Sequence, residues 1–325
     1  MSVRLRDSAF FMGAAFIAAL MPLCAQAQSY PAKPIRLIVP FATGGLSDII
    51  ARMLAIRLTE AVKQPVIVDN RPGGSGVPGT EMAIRSAPDG HTLLMISAAY
   101  ASSAALYKLP YDAINDVAAV ALVGDSGFVA AVHSSVPVDT VKALIQYDQS
   151  NPGKLNYGSG GTGGANHLVT EYFNQLAGTR LTHVPYKGGG PALNDLVGGQ
   201  IQVFFGTLSA LTPQIKANRI RAIAVTTAKR SNALPHVPAI AETVAGYEAV
   251  TWSAVLGPKA LPRDIIQRLN NEIERVLQHK DFRERLLTNG MEPVGGPPAK
   301  FRDILKRDVD KWARVIKAGN IRADD

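Results

Sequence analysis

The chain has 325 residues, with 34 Lys or Arg against 26 Asp or Glu, a formal charge of +8. The cationic residues form no run and aromatics make up only 6%, which excludes a nucleic-acid stacking platform and leaves a mild attraction for small anionic solutes. The one cysteine, Cys24, lies in a leader-like stretch, so the rest has no disulfide framework and no thiolate metal site, and its core must hold it together alone.

Residues 1–27 read as an export signal. Arg4 and Arg6 supply the positive start, an apolar run extends from Ala9 to Leu23, and Ala25-Gln26-Ala27 gives the small-x-small pattern cut by a signal peptidase. The run is short of the roughly 20 residues that span a bilayer. Met21, Pro22 and Leu23 are not the small residues that lipoprotein processing at Cys24 needs, so cleavage after Ala27 and a periplasmic location are expected.

Beyond the signal, strand and helix patterns alternate. Ile35 to Phe41 reads as a strand, and Ile49, Ile50, Met53, Leu54 and Leu58 mark one helical face. Val66–Val68 is a second strand, Thr80 to Ser86 a short helix, and Thr92–Ile96 a third strand. Strands at Phe128–Val132, Leu155–Tyr157, Thr182–Tyr186, Val203–Phe205 and Ile220–Val225 are spaced by helices at Val141–Asp148, Ala165–Leu176 and Ala192–Val197. Two more helices, Asp264–Leu277 and Phe301–Ile316, close the chain. The order predicts an α/β fold with mostly parallel sheets flanked by helices. Without a linker-like segment, a division into two domains requires the chain to cross between them, which is placed near Val123–Phe128 and Val250–Leu256.

The stretch Phe41-Ala42-Thr43-Gly44-Gly45-Leu46-Ser47-Asp48 ends a strand and opens a helix. Glycines allow positive φ and close backbone approach, and the first N–H groups of a helix have no partner within it. Together with the helix dipole they favour a carboxylate or phosphate, and Ser47 is the expected N-cap. The same arrangement recurs at Gly158 to Gly164 and at Gly188-Gly189-Gly190-Pro191. Junctions of this kind from two domains would face one another at the strand C-termini, where open α/β sheets bind ligands.

Enzyme chemistry finds less support. Gly158 to Gly163 fits the dinucleotide pattern G-x-G-x-x-G, but after Glu171 the next acid is Asp195, too distant for a ribose hydroxyl, so no cofactor is expected. Gly73-Gly74-Ser75-Gly76-Val77 fails the nucleophile elbow at its last position. The six histidines show no metal-ligand spacing, and His167, in the first turn of its helix, reads as a tie between loop and helix.

Tyr30 to Phe41 with Gly44, Gly45 and Asp48, Val68 to Gly73, Asp89 to Leu94, Asn151 to Lys154, Asn166-His167-Leu168, His183 to Gly188 and Pro235-His236-Val237-Pro238 occur in an order that resembles Bug-type receptors of tripartite tricarboxylate transporters. The resemblance spans essentially the whole chain past the signal. It implies a two-lobed, type II periplasmic binding protein that closes on a carboxylate, with no cofactor and no metal. With the crossings placed above, the expected lobes are 28–127 with 252–325, and 128–251. The resemblance places the ligand against Ala42, Thr43, Gly44, Gly45, Leu46, Ser47 and Asp48 in the first loop. Ser159, Gly160, Thr162, Gly163, Asn166 and His167 contribute from the second, and Ser97, Thr207 and, more weakly, Asp195 line the rest. The family usually has proline where Thr43 stands and often a polar residue near Leu46, so the solute is not inherited from a relative. The implied partners are a small carboxylate and membrane transporter subunits, with the receptor monomeric. A sensor feeding a membrane signalling partner, and an exported hydrolase using Ser159 or Ser47, are the alternatives.

Overall fold

A computed structural model describes residues 30–322; the expected signal and its cleavage site lie outside the described residues. Strand β1 (Ile35–Val39), helix α1 (Leu46–Val62), β2 (Val66–Asn70), α2 (Val77–Ile84) and β3 (Thr92–Ser97) form the expected βαβαβ unit, with β1 between two parallel neighbours. Ile35, Leu37, Ile38 and Val39 are buried, as are Leu93 to Ile96. Such largely apolar runs, interrupted in β1 only by Arg36, suit strands covered on both faces.

Helix α3 (Ala99–Leu106) follows, and then the 17-residue strand β4 (Val117–His133). The middle of the chain supplies α4 (Val141–Ser150), β5 (Asn156–Ser159), α5 (Ala165–Ala177), β6 (Thr182–Pro185), α6 (Gly189–Val197), β7 (Val203–Thr207), α7 (Leu208–Lys216) and β8 (Ile220–Val225). The chain ends with β9 (Val250–Pro258), α8 (Arg263–Gln278), α9 (Lys280–Thr288), the short β10 (Glu292–Pro293) and α10 (Pro298–Ala318).

The strands run β2-β1-β3-β9-β4-β7-β5-β6, with β8 and β10 also pairing β4. Parallel pairing holds in the outer parts, β2-β1-β3 and β7-β5-β6, whereas every partner of β4 is antiparallel to it. The result is an α/β fold with a mixed sheet. Strand β4 changes partners along its length: Val117 to Gly127 pair with β9, and Phe128 onward with β7 and β8. The fully buried Thr226 sits at this change. Its Oγ1 accepts the Phe128 N–H at 2.7 Å and donates to the Ala249 carbonyl at 2.6 Å, tying together the two points where the chain passes between sheet halves.

Helix α10 lies across both halves. Its Trp312 packs edge-on to Tyr172 of α5 (6.2 Å between ring centroids), and Gln175 Nε2 donates to the Val315 carbonyl at 3.0 Å. On its buried face Asp308 accepts from Trp252 Nε1 at 2.7 Å and pairs with Lys311 at 3.0 Å, so this buried carboxylate is both hydrogen-bonded and charge-paired.

Candidate ligand site

The first loop is built on Asp48. Helix α1 begins at Leu46 with Gly45 as N-cap in extended backbone (φ −73°, ψ 165°), and no side chain caps it. Ser47, the expected cap, therefore stands two residues past the cap position. Asp48 organises the loop instead: its buried carboxylate reaches back to accept the Gly44 N–H at 2.9 Å, and also accepts from Asn70 Nδ2 at 2.9 Å and Arg52 Nε at 3.0 Å. This is the backward half of a capping box moved out by one residue. Burial acts to raise the Asp48 pKa, but the hydrogen bonds from Arg52, Gly44 and Asn70 outweigh it and hold the carboxyl below its usual range. Asp48 is thus occupied in holding the loop, and Gly44, at φ +85°, has given its N–H to it. Ala42, Thr43, Gly44, Gly45 and Leu46 are exposed on the surface of the turn.

The second loop rests on a stack of rings. His167 and His183 lie face to face at 3.8 Å, with Tyr157 against His183 at 5.0 Å. His167 Nδ1 accepts the Gly163 N–H at 2.9 Å, which ties the loop to the first turn of α5. Ser159 Oγ is 2.7 Å from His183 Nε2 and accepts the Gly161 N–H at 3.1 Å. Gly160 accepts from the Gly188 N–H at 3.1 Å, joining the second loop to the third. Asn166 Nδ2 donates to the Phe205 carbonyl, fixing α5 on β7. Gly164 caps α5 without a side chain, so α5, like α1, presents first-turn N–H groups that no side chain covers. Thr207 is the N-cap of α7, and its hydroxyl lies 3.5 Å from that of Ser209. Asp195 accepts from Tyr186 Oη at 2.7 Å and so anchors that ring.

Beside the second loop lies a cavity of about 430 Å3, which Phe41 borders from the first loop's side, within the size range of small-molecule sites. Ser97, Thr162 and Gly163 line it; the other expected residues do not, although Phe41 and Ala165 at the edges of their loops do. Its remaining polar lining is hydroxyl: Ser75, Ser102, Ser103, Thr251 and the phenol of Tyr107. The lining contains no Lys, Arg, His, Asp or Glu. Among the unforeseen lining residues, Ala99, Ser102, Ser103 and Leu106 come from α3 and Trp312 from α10, whereas Ser75 and Gly164 belong to glycine clusters and Leu168 and Val169 to the expected helix Ala165–Leu176. Gly163 (φ +75°) also meets α3 across the cleft, where an added Cβ would lie 3.1 Å from Leu106 Cδ1.

A second cavity, of about 570 Å3, lies by the other side of the β4 crossing and is lined by Asp125, Glu248 and Glu292 as well as Lys229 and Arg230. Arg230 is held by Glu242 through two bonds of 2.9 and 2.8 Å. Burial, then the charges of Glu292 and Glu248, push the Asp125 carboxyl up to about 6. A space where carboxylates already repel one another is unfavourable for an anion, which singles out the first cavity.

Residues 50–321 match the model of the tripartite tricarboxylate transporter family receptor. The chain belongs to this receptor family. It is 36% identical over 297 residues to BugT of Bordetella pertussis, covering 90% of each chain. Among solved structures, it is similar to R. palustris Rpa4515 with adipate (34% identity, TM-score 0.72, 91% of this chain and all of that one). It is also similar to MatC of Rhodopseudomonas palustris with bound malate (26%, TM-score 0.68, 88% of this chain and all of that one). The family consists of periplasmic solute-binding receptors serving tripartite transporters, and this receptor is not an enzyme. The fully buried Ser159 is accordingly a brace for its loop, even with a histidine nitrogen at hydrogen-bond distance. Among the described residues no helix is long and apolar enough to cross a membrane, and no three or more His, Cys, Asp or Glu side chains form a group that could hold a metal ion.

Proposed function

We propose that this receptor, exported and cleaved after Ala27, works as a monomer that captures a carboxylate solute in the 430 Å3 cavity and delivers it to the membrane subunits of its transporter. The observation that carries the reading is the lining: hydroxyls and the glycine-rich start of α5, with no ionisable acid, base or guanidinium among them. Such a site holds an anion through backbone N–H groups, the helix dipole, hydroxyls and bridging waters. Adipate and malate in the two similar structures are carboxylates of the kind this chemistry serves.

Residues 30–127 with 250–322 form one lobe and 128–249 the other. The change of partners along β4 at Gly127/Phe128 and the start of β9 at Val250 support these limits, the second lying two residues before the boundary expected from sequence. Closure onto the solute is driven by contacts made to both lobes at once. The first loop joins the site in the loaded state through the N–H groups of Leu46 and Ser47, with Asp48 as its support. Uptake of a radiolabelled acid by cells carrying the membrane subunits tests the role: it should depend on this receptor and be lost with Gly163→Val. Undiminished uptake without the receptor would contradict it.

A further inference from the structure

The cavity is polar at one end and apolar at the other. Thr162 to Ala165 line it at the start of α5, beside the Ser97, Ser102 and Ser103 hydroxyls. One turn along the same helix the lining becomes Leu168 and Val169, joined by Phe128, Val250 and Trp312. These five residues are each at least 92% buried and belong to a single contiguous core. The inner wall is therefore the open edge of the core itself. At 1.5 Å rise per residue, Val169 stands about 6 Å from Ala165 along the helix, roughly the reach of a chain of a few carbons.

An acid whose carboxylate meets the first turn of α5 must lay the rest of its body along this wall. A second carboxylate carried there would lose its water and find no cation, since none lines the cavity. Methylenes or a phenyl ring would instead remove apolar surface from water on both sides. We infer that the solute is a monocarboxylate with an apolar body, a medium-length aliphatic or phenyl-substituted acid, in place of a di- or tricarboxylate. The inference rests on the carboxylate-receptor reading above and narrows it. Val169, on the apolar wall, is the position from which a cation would reverse the preference.

Isothermal titration of the purified receptor with hexanoate, phenylacetate, adipate and citrate tests the inference, because hexanoate and adipate share a six-carbon chain and differ by one carboxylate. The tighter of the two monocarboxylates should bind at least about tenfold better than adipate or citrate. Val169→Arg should weaken hexanoate and strengthen adipate, narrowing or inverting the ratio. Adipate or citrate binding the wild-type receptor more tightly than either monocarboxylate would overturn this inference and leave the receptor reading standing. No binding by any of the four acids would overturn both. The wild-type ranking decides the matter even if the Arg variant folds poorly.

Discussion

Thr226→Val removes one hydroxyl from the crossing between sheet halves and nearly preserves shape. The wild-type Oγ1 satisfies two buried backbone groups, the Phe128 N–H at 2.7 Å and the Ala249 carbonyl at 2.6 Å. Phe128 and Ala249 are 4% and 0% exposed, so water cannot replace the hydroxyl without opening the sheet. An orphaned buried donor or acceptor costs about 1–3 kcal/mol, so the pair should cost on the order of 3–4 kcal/mol. For a chain of this size that lowers the melting temperature by about 2 °C per kcal/mol, or roughly 6–8 °C. The assay is thermal unfolding followed by circular dichroism, with Thr226→Ser as control; it keeps both hydrogen bonds and loses one methyl, worth about 1 kcal/mol. A Val variant melting within 1 °C of wild type, or a Ser variant as damaged as the Val one, would refute the reasoning.

The remaining predictions concern the loops and one carboxylate. Asp48→Ala releases Gly44, Asn70 and Arg52 together; solute affinity should fall by about tenfold or more in calorimetry while the melting temperature drops only by the few degrees of one lost buried network. Gly163→Val forces a branched side chain into φ +75° and against Leu106, so binding should vanish with secondary structure unchanged, and retained affinity would remove Gly163 from the site. Asp125 has a folded-state pKa of about 6, above the unfolded value of about 3.9. The folded state then holds the extra proton between those values, and this group's contribution to stability falls as pH rises from about 4 to about 7. Asp125→Asn should accordingly stabilise the protein at pH 8, by up to about 2 kcal/mol after allowance for partial exposure, and flatten denaturant-derived stability across that window. Glu292, Glu248 and Lys300 face the same carboxyl, and an unchanged pH profile would contradict the burial argument.

How much was legible in the sequence differs between the frame and the pocket. The βαβαβ opening could be read because β1 and β3 are mostly apolar and α1 has a periodic apolar face. Strand β9, Val-Thr-Trp-Ser-Ala-Val-Leu-Gly-Pro, was read only as a crossing. It lies in the middle of the sheet, nearly all buried, so no in–out alternation marks it. Helix α3, Ala-Tyr-Ala-Ser-Ser-Ala-Ala-Leu, was missed because small residues give it little contrast between faces. Its Ser102, Ser103 and Leu106 consequently went unread as lining. Glycine loops advertise themselves locally, which is why Thr162 and Gly163 were found. Trp312 reaches the cavity from the far end of the chain through its packing on α5, and no local spacing encodes such a meeting.

The central claim is that backbone and hydroxyl groups at the start of α5, with no charged side chain, hold a carboxylate between the two sheet halves. A crystal structure of the receptor soaked with the tightest-binding acid tests it most directly. The account predicts carboxylate oxygens at hydrogen-bond distance, about 2.7–3.2 Å, from the first-turn N–H groups of α5 or waters bound to them, beside Thr162 and Ser97. A carboxylate paired with a lysine or arginine, or seated in the second cavity by Asp125, would contradict it.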